Sequence, residues 1–175
     1  QRQMCIRDSD MAKEGQTAVD WLASQKLDKY NIVHIQGTMG SAAQVGRTGA
    51  LDTKVAADEN WKLVTQQTAE WNAETAQQIV QSVIDSNTPF NVIYAENDDM
   101  AKGAVAALDK ANISHGVGKD VIVMGFDCNK WALKNLLSGS WNYAYRSKLG
   151  FGIADFVPSI STVSYTHLRA HETLS

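Results

Sequence analysis

Four residues of this chain carry side chains suited to an uncharged, polyhydroxylated ligand: Arg47, Trp71, Asn97 and Asp127. A guanidinium fork donates to two oxygens at once, aspartate accepts from two hydroxyls, asparagine both donates and accepts, and an indole offers a flat apolar wall to a C–H face. Glu96 and Asp98 flank Asn97 and extend the polar set. With carboxylates beside the arginine, the set suits a sugar better than an anion. It contains no obvious base and nucleophile pair at motif spacing, which argues against an enzyme.

Each residue also has a plainer reading. Asn97 and Asp127 stand where a strand turns into a helix, so N-capping alone accounts for either type. Asp98 and Asp99 are acids in a helix's first turn, favoured by the helix dipole. Trp71 packs at a helix entrance, Arg47 is a solvated helix residue, and Cys128 is a small passive residue or a thiol activated by a helix start.

Arg47 sits in Gly37-Thr-Met-Gly-Ser-Ala-Ala-Gln-Val-Gly-Arg-Thr-Gly49, a glycine-rich loop after an apolar run. A phosphate cradle needs four residues between its first glycine and a Gly-Lys-Ser/Thr, so that backbone N–H groups wrap the phosphates and the ammonium reaches them. Ser41 occupies the place of that glycine and Arg47 that of the lysine. The dinucleotide pattern also fails on Gly37, Gly40, Gly46 and Gly49. The small residues are expected to let the chain turn tightly and its helix pack closely on a sheet, with Arg47 pointing its fork at ligand oxygens.

Helix-like and strand-like patterns alternate along the chain and position these residues. Residues 10–25 have helical spacing, 31–36 read as a strand, 41–57 as a small-residue-rich helix and 62–65 as a strand. Ala76, Ile79, Val80, Val83 and Ile84 form an apolar stripe on one helix face, followed by a strand at 91–95. Ala101, Ala104, Val105 and Leu108 mark a helix, 121–124 a strand, Leu133, Leu136 and Leu137 a short helix stopped by Gly139, and 141–145 a last strand. This order predicts an α/β fold: a three-layer, doubly wound and mainly parallel sheet of about five strands. Ligands of such sheets bind beyond the carboxyl ends of the strands, where Arg47, Trp71, Glu96 to Asp98 and Asp127 all fall.

The bulk composition agrees with one globular domain. The chain has 175 residues, a net charge of −3 and 44% hydrophobic residues, enough for a core. Lys and Arg are scattered, so no basic stripe for nucleic acid is expected, and the longest apolar runs fall far short of a membrane span. Cys5 and Cys128 make no disulfide framework and no Cys-x-x-Cys site. His167 and His171 have the i, i+4 spacing of metal ligands but no third ligand in view, so no metal and no cofactor are expected.

Residues 31–49, Thr68-Ala-Glu-Trp71, Ala95-Glu-Asn-Asp-Asp-Met-Ala-Lys-Gly-Ala104 and Val123-Met-Gly-Phe-Asp127 resemble, in order and spacing, the periplasmic sugar-binding proteins of ABC importers, of the ribose and galactofuranose type. The resemblance runs roughly from Asp10 to Asn142 and fades after Tyr143. It implies one lobe of a two-lobe, non-enzymatic receptor that traps a monosaccharide, a pentose or hexose, between its lobes and delivers it to a membrane permease. It further implies that Arg47, Trp71, Asn97 and Asp127 contact the ligand, with Glu96, Asp98 and Asp10 as additional candidates. The full-length protein is expected in the periplasm or lipid-anchored outside the cell. This chain is expected to be mainly the carboxy-terminal lobe, and so to bind sugar weakly or not at all by itself.

The sequence departs from the family pattern at several positions. Glu96 stands where Gln or His is usual, Cys128 where Gly is common, and Met11 where Asn often follows the aspartate matched by Asp10. Residues 1–9 and 163–175 resemble translated sequencing-adapter read-through. The expected organisation is an adapter-like 1–9, a sugar-binding lobe over 10–146, and a 147–175 segment unassigned at first and adapter-like toward its end. A LacI-type regulator's effector domain shares the fold and is the alternative. A signal peptide or a helix-turn-helix upstream separates the two, and Trp71 in its Thr-Ala-Glu-Trp setting favours the receptor.

Overall fold

The computed structural model describes residues 11–145. Asp10, Cys5, His167, His171 and the segments 1–9 and 147–175 lie outside the described residues. The elements follow the expected order: α1 (Met11–Ser24), β1 (Tyr30–Gln36), α2 (Ala42–Ala57), β2 (Trp61–Thr68), α3 (Ala73–Asp85), β3 (Val92–Ala95), α4 (Asp98–Lys110), β4 (Ile122–Phe126), α5 (Lys130–Ser138) and β5 (Tyr143–Tyr145). Four helix starts are built alike. Ser41, Asn72, Asn97 and Asn129 have extended backbone, and each side chain accepts from the N–H three residues on. Gly139 ends α5 with φ 77°, a left-handed cap natural to glycine.

The five strands form a sheet of order β2-β1-β3-β4-β5, with every pairing parallel. Alternate residues of the inner strands feed two cores. Val33, Ile35, Ile93, Ala95 and Val123 pack with α3, α4 and α5, whereas Ile32, Val92, Tyr94, Met124 and Phe126 pack with α1 and α2. The sheet is therefore covered on both faces, as the continuous apolar runs of β3 and β4 require. β2 runs three residues beyond the expected 62–65, to Thr68. Its polar end, Gln66 to Thr68, pairs in register with His34 to Gln36. As an edge strand β2 is largely unburied, so polar residues continue the ladder there at little cost.

The chain leaves β1 toward β2 on one side and β3 on the other, so the strand order reverses between β1 and β3. In a parallel sheet this switch point opens a crevice at the carboxyl edge.

Two of the small residues of α2, Gly46 and Ala50, lie against α1, whereas a Cβ on Gly49 would stand in open space. A Cβ on Gly46 would stand 2.4 Å from the Met11 backbone, and one on Gly15 would stand 2.7 Å from the Gly46 carbonyl oxygen. This close crossing brings the side of α1 against Arg47.

Candidate functional site

Arg47 lies on the second turn of α2, 5% exposed, over the ring of Phe126 with its guanidinium carbon 4.5 Å from the centroid. Its Nε and Nη2 donate to Glu14 Oε2 at 3.1 and 2.8 Å, and its Nη1 donates to the Glu96 carbonyl oxygen. Nη2 also reaches Asp127 Oδ1 at 3.4 Å, at the edge of hydrogen bonding. Asp127 itself is half exposed, at 53% of its side chain. The guanidinium thus bridges a buried acid and a rim acid, and it is not the solvated helix residue of the plainer reading.

Glu14 was not singled out in the sequence. It occupies the stripe of Ala18 and Leu22, four and eight residues on, and an acid on a buried stripe signals a buried partner. One of its oxygens, Oε1, has no hydrogen-bond partner. Tyr94 was also missed. Burial raises its pKa well above 10, so the phenol stays protonated, and its hydroxyl donates to the Arg47 carbonyl at 3.2 Å.

Asn97 and Asp127 prove different in kind. Asn97 is the N-cap of α4, its Oδ1 accepting from Met100 N at 2.8 Å, which leaves the Nδ2 group to donate elsewhere. Asp127 is no cap, because Asn129 performs that task for α5. Asp127 instead has φ 92° and Cys128 φ 52°, two consecutive left-handed residues without glycine. Such strain persists only where neighbours enforce it, and it concentrates at functional sites.

Trp71 also takes a left-handed backbone, φ 65°, immediately before the Asn72 cap of α3. Its indole lies flat where the side chain of residue 37 would be: a Cβ on Gly37 would stand 2.0 Å from the ring. Gly37→Ala is therefore expected to displace the indole, moving the Trp71 side-chain N–H resonance and costing about 1–3 kcal/mol. An unchanged resonance in the two-dimensional NMR spectrum would place the ring elsewhere.

Glu96 and Asp98 lie beneath the rim, both fully buried. Glu96 Oε1 accepts from His34 Nε2 at 3.1 Å and from Thr48 Oγ1 at 2.5 Å, and its Oε2 accepts from Gly37 N at 2.8 Å. The network continues outward, since Gln66 Nε2 donates to His34 Nδ1 at 3.1 Å and to Asp52 Oδ1 at 2.8 Å. Thr68 Oγ1 donates to the Gly37 carbonyl at 2.6 Å. Glu96 therefore fixes both the floor under Trp71, through Gly37, and the Arg47 fork, through its own carbonyl. Asp98 Oδ2 accepts from Asn129 N at 2.7 Å, while its Oδ1 is buried without a partner.

The carboxyl edge thus gathers Arg47, Trp71, Asn97 and Asp127 from four successive connections of the sheet. The acids and the single guanidinium leave no net positive charge for an anion. A cavity of about 370 Å³ lies elsewhere, between the end of α4 and the end of α5, lined by Asp109, His115 and Asn135. His115 is held there by Asp109 and the Ser140 carbonyl. Among the described residues no cluster of His, Cys, Asp and Glu suits a metal ion, and no helix is long and apolar enough to cross a membrane.

A family model described as a periplasmic binding protein domain matches residues 2–148. The ribose import binding protein RbsB of Bacillus subtilis (strain 168) is 27% identical over 128 residues, covering 73% of this chain and 39% of that protein. The galactofuranose-binding protein YtfQ of Escherichia coli (strain K12) is 28% identical over 138 residues, covering 77% of this chain and 43% of that protein. Among solved structures, a Caulobacter myo-inositol binding protein bound to myo-inositol matches with a TM-score of 0.73 and 29% identity, over 79% of this chain and 47% of that one. The chain spans less than half the length of these relatives.

Proposed function

The chain belongs to the periplasmic binding protein domain family, and from that premise we propose that it forms one wall of a monosaccharide site in the solute receptor of an ABC importer. The observation that carries this reading is the rim itself. A guanidinium neutralised by Glu14, a half-exposed Asp127, the free amide of Asn97 and the Trp71 indole all stand at the carboxyl edge of the sheet, on either side of its switch point. Asp127 accepts from ring hydroxyls, Asn97 Nδ2 and the outer edge of Arg47 donate to ring oxygens, and the indole covers the C–H face. Holding a ligand this way involves no bond making, which fits a receptor rather than an enzyme.

The named relatives bind ribose, galactofuranose or myo-inositol, all neutral and rich in hydroxyls. In the two-lobe protein a second wall would close over this one, delivering a pentose or hexose to a membrane permease. The location that follows is the periplasm, or a lipid anchor on the outer face of the membrane. Asp98 and Glu96 enter this reading as supports beneath the rim rather than as contacts. Asp10 enters only through the family resemblance. The LacI-type alternative gains no support from relatives whose names are those of import receptors.

Half a site binds weakly, since closure of the partner wall is what buries the ligand. Titrating the chain with D-ribose, D-allose and myo-inositol while recording 15N–1H spectra is expected to move the amides of residues 97 and 127 at millimolar sugar. Asp127→Ala and Trp71→Ala are each expected to weaken that response at least about tenfold. A response centred on the Asp109–His115 cavity, or one indifferent to both substitutions, would refute the reading.

A further inference from the structure

We propose that Asp98 is the positioning residue of this site, a buried clamp that holds the Asp127–Asn129 turn, and with it the rim carboxylate, most firmly while Asp98 is ionised. Its consequence for ligand binding rests on the sugar-site reading above, whereas the clamp itself stands on geometry. The turn has two successive left-handed residues, Asp127 and Cys128, and needs external ties to persist. Two backbone ties bracket it: Asp127 N donates to the Tyr145 carbonyl at 2.7 Å, and Asn129 N donates to Asp98 Oδ2 at 2.7 Å. The second tie rests on a side chain that is 0% exposed.

Asp98 is a poor choice for stability alone. Its Oδ1 has no partner and faces the backbone at Gly125, where an added Cβ would come within 2.6 Å of it. Burial is the main force on the carboxyl and pushes its pKa up to about 7. The Asn129 N–H opposes that shift. Asp127 on the turn and Asp99 on the same helix add to it, and Arg47 on α2 subtracts. A bond from an N–H to a carboxylate is stronger than one to a neutral carboxyl, so the clamp tightens as pH rises through neutrality.

Stability moves the other way. The ordinary value is 3.8 and the folded value about 7, so between them the folded chain holds a proton that the unfolded chain has lost. The contribution of Asp98 to stability is full below the lower value, falls as pH rises through the window, and is flat above it. The rim is thus ordered at neutral pH by a charge that costs stability.

The test is a pH titration of the full 175-residue chain, without ligand, following the amides of Asp127, Cys128 and Asn129. They are expected to move together with one inflection near pH 7, and to stay flat in Asp98→Asn, which keeps the shape and carries no charge. In the sugar titration, affinity is expected to fall several-fold from pH 8 to pH 5.5 in the parent chain and to be independent of pH in Asp98→Asn. Absence of the inflection in the parent chain overturns the clamp without needing any variant, as does its survival in Asp98→Asn. If no sugar binds any form, the receptor reading fails while the ligand-free titration still decides the clamp.

Discussion

Arg47→Met is expected to lower the unfolding free energy by about 3–5 kcal/mol, because it strands the charge of Glu14 inside the protein. Glu14 is 2% exposed, and both of its hydrogen bonds come from Arg47. Against a total stability of roughly 5–15 kcal/mol, that loss removes a large share of the margin. Urea denaturation of the single and double variants measures it. Glu14→Leu with Arg47→Met is expected to recover most of the stability, since replacing both buried charges by apolar groups of similar volume is often neutral. Recovery should stop short of complete, because the Glu96 carbonyl also loses a donor.

The same pair of variants separates folding from ligand binding. The double variant folds but lacks the guanidinium edge that faces Asp127, so its response to sugar should remain lost. A single variant costing less than about 1 kcal/mol, as an exposed ion pair would, would mean that Arg47 belongs to solvent or ligand rather than to Glu14.

Gly103→Ala is expected to cost about 3 kcal/mol or more, at the upper end of overpacking. The added Cβ would stand 1.9 Å from the Ala73 carbonyl oxygen, so no side-chain rotation relieves the clash and the two helices must part. The expected fall in Tm is roughly 10 °C. The site would suffer as well, because α3 follows Trp71 and its Asn72 cap while α4 follows the Asn97 cap. Separating these helices separates the indole from the amide. A Gly103→Ala chain with the parental Tm would show that α3 and α4 do not meet there.

Much of the fold was legible because the signals are local. The stripe from Ala76 to Ile84 repeats on one helix face, and that periodicity holds whatever the helix packs against. Parallel strands of four or five apolar residues between such helices admit few arrangements, and the carboxyl edge then gathers the connections that follow them. The end of β2 was less legible. Gln66, Gln67 and Thr68 look like loop residues and become strand only because an edge position and the β1 register make polar residues acceptable.

What the sequence by itself determined was the order of elements, the parallel sheet and the edge at which the candidate residues collect. Types of residue and their spacing along the chain suffice for that. Only the tertiary structure decided how the polar groups divide their work. Asp127 is released from capping by Asn129, Glu96 and Asp98 sink beneath the rim, and Arg47 spends most of its donors inside the protein. The reason is sequence distance. Arg47 meets Glu14, the Glu96 carbonyl and Asp127 across separations of 33, 49 and 80 residues. Those meetings depend on the close α1–α2 crossing at Gly15 and Gly46 and on the strand order that places β3 and β4 beside β1. No local pattern records which of several acids a buried guanidinium will choose. Packing chooses, because the donor must be satisfied wherever the crossing leaves it.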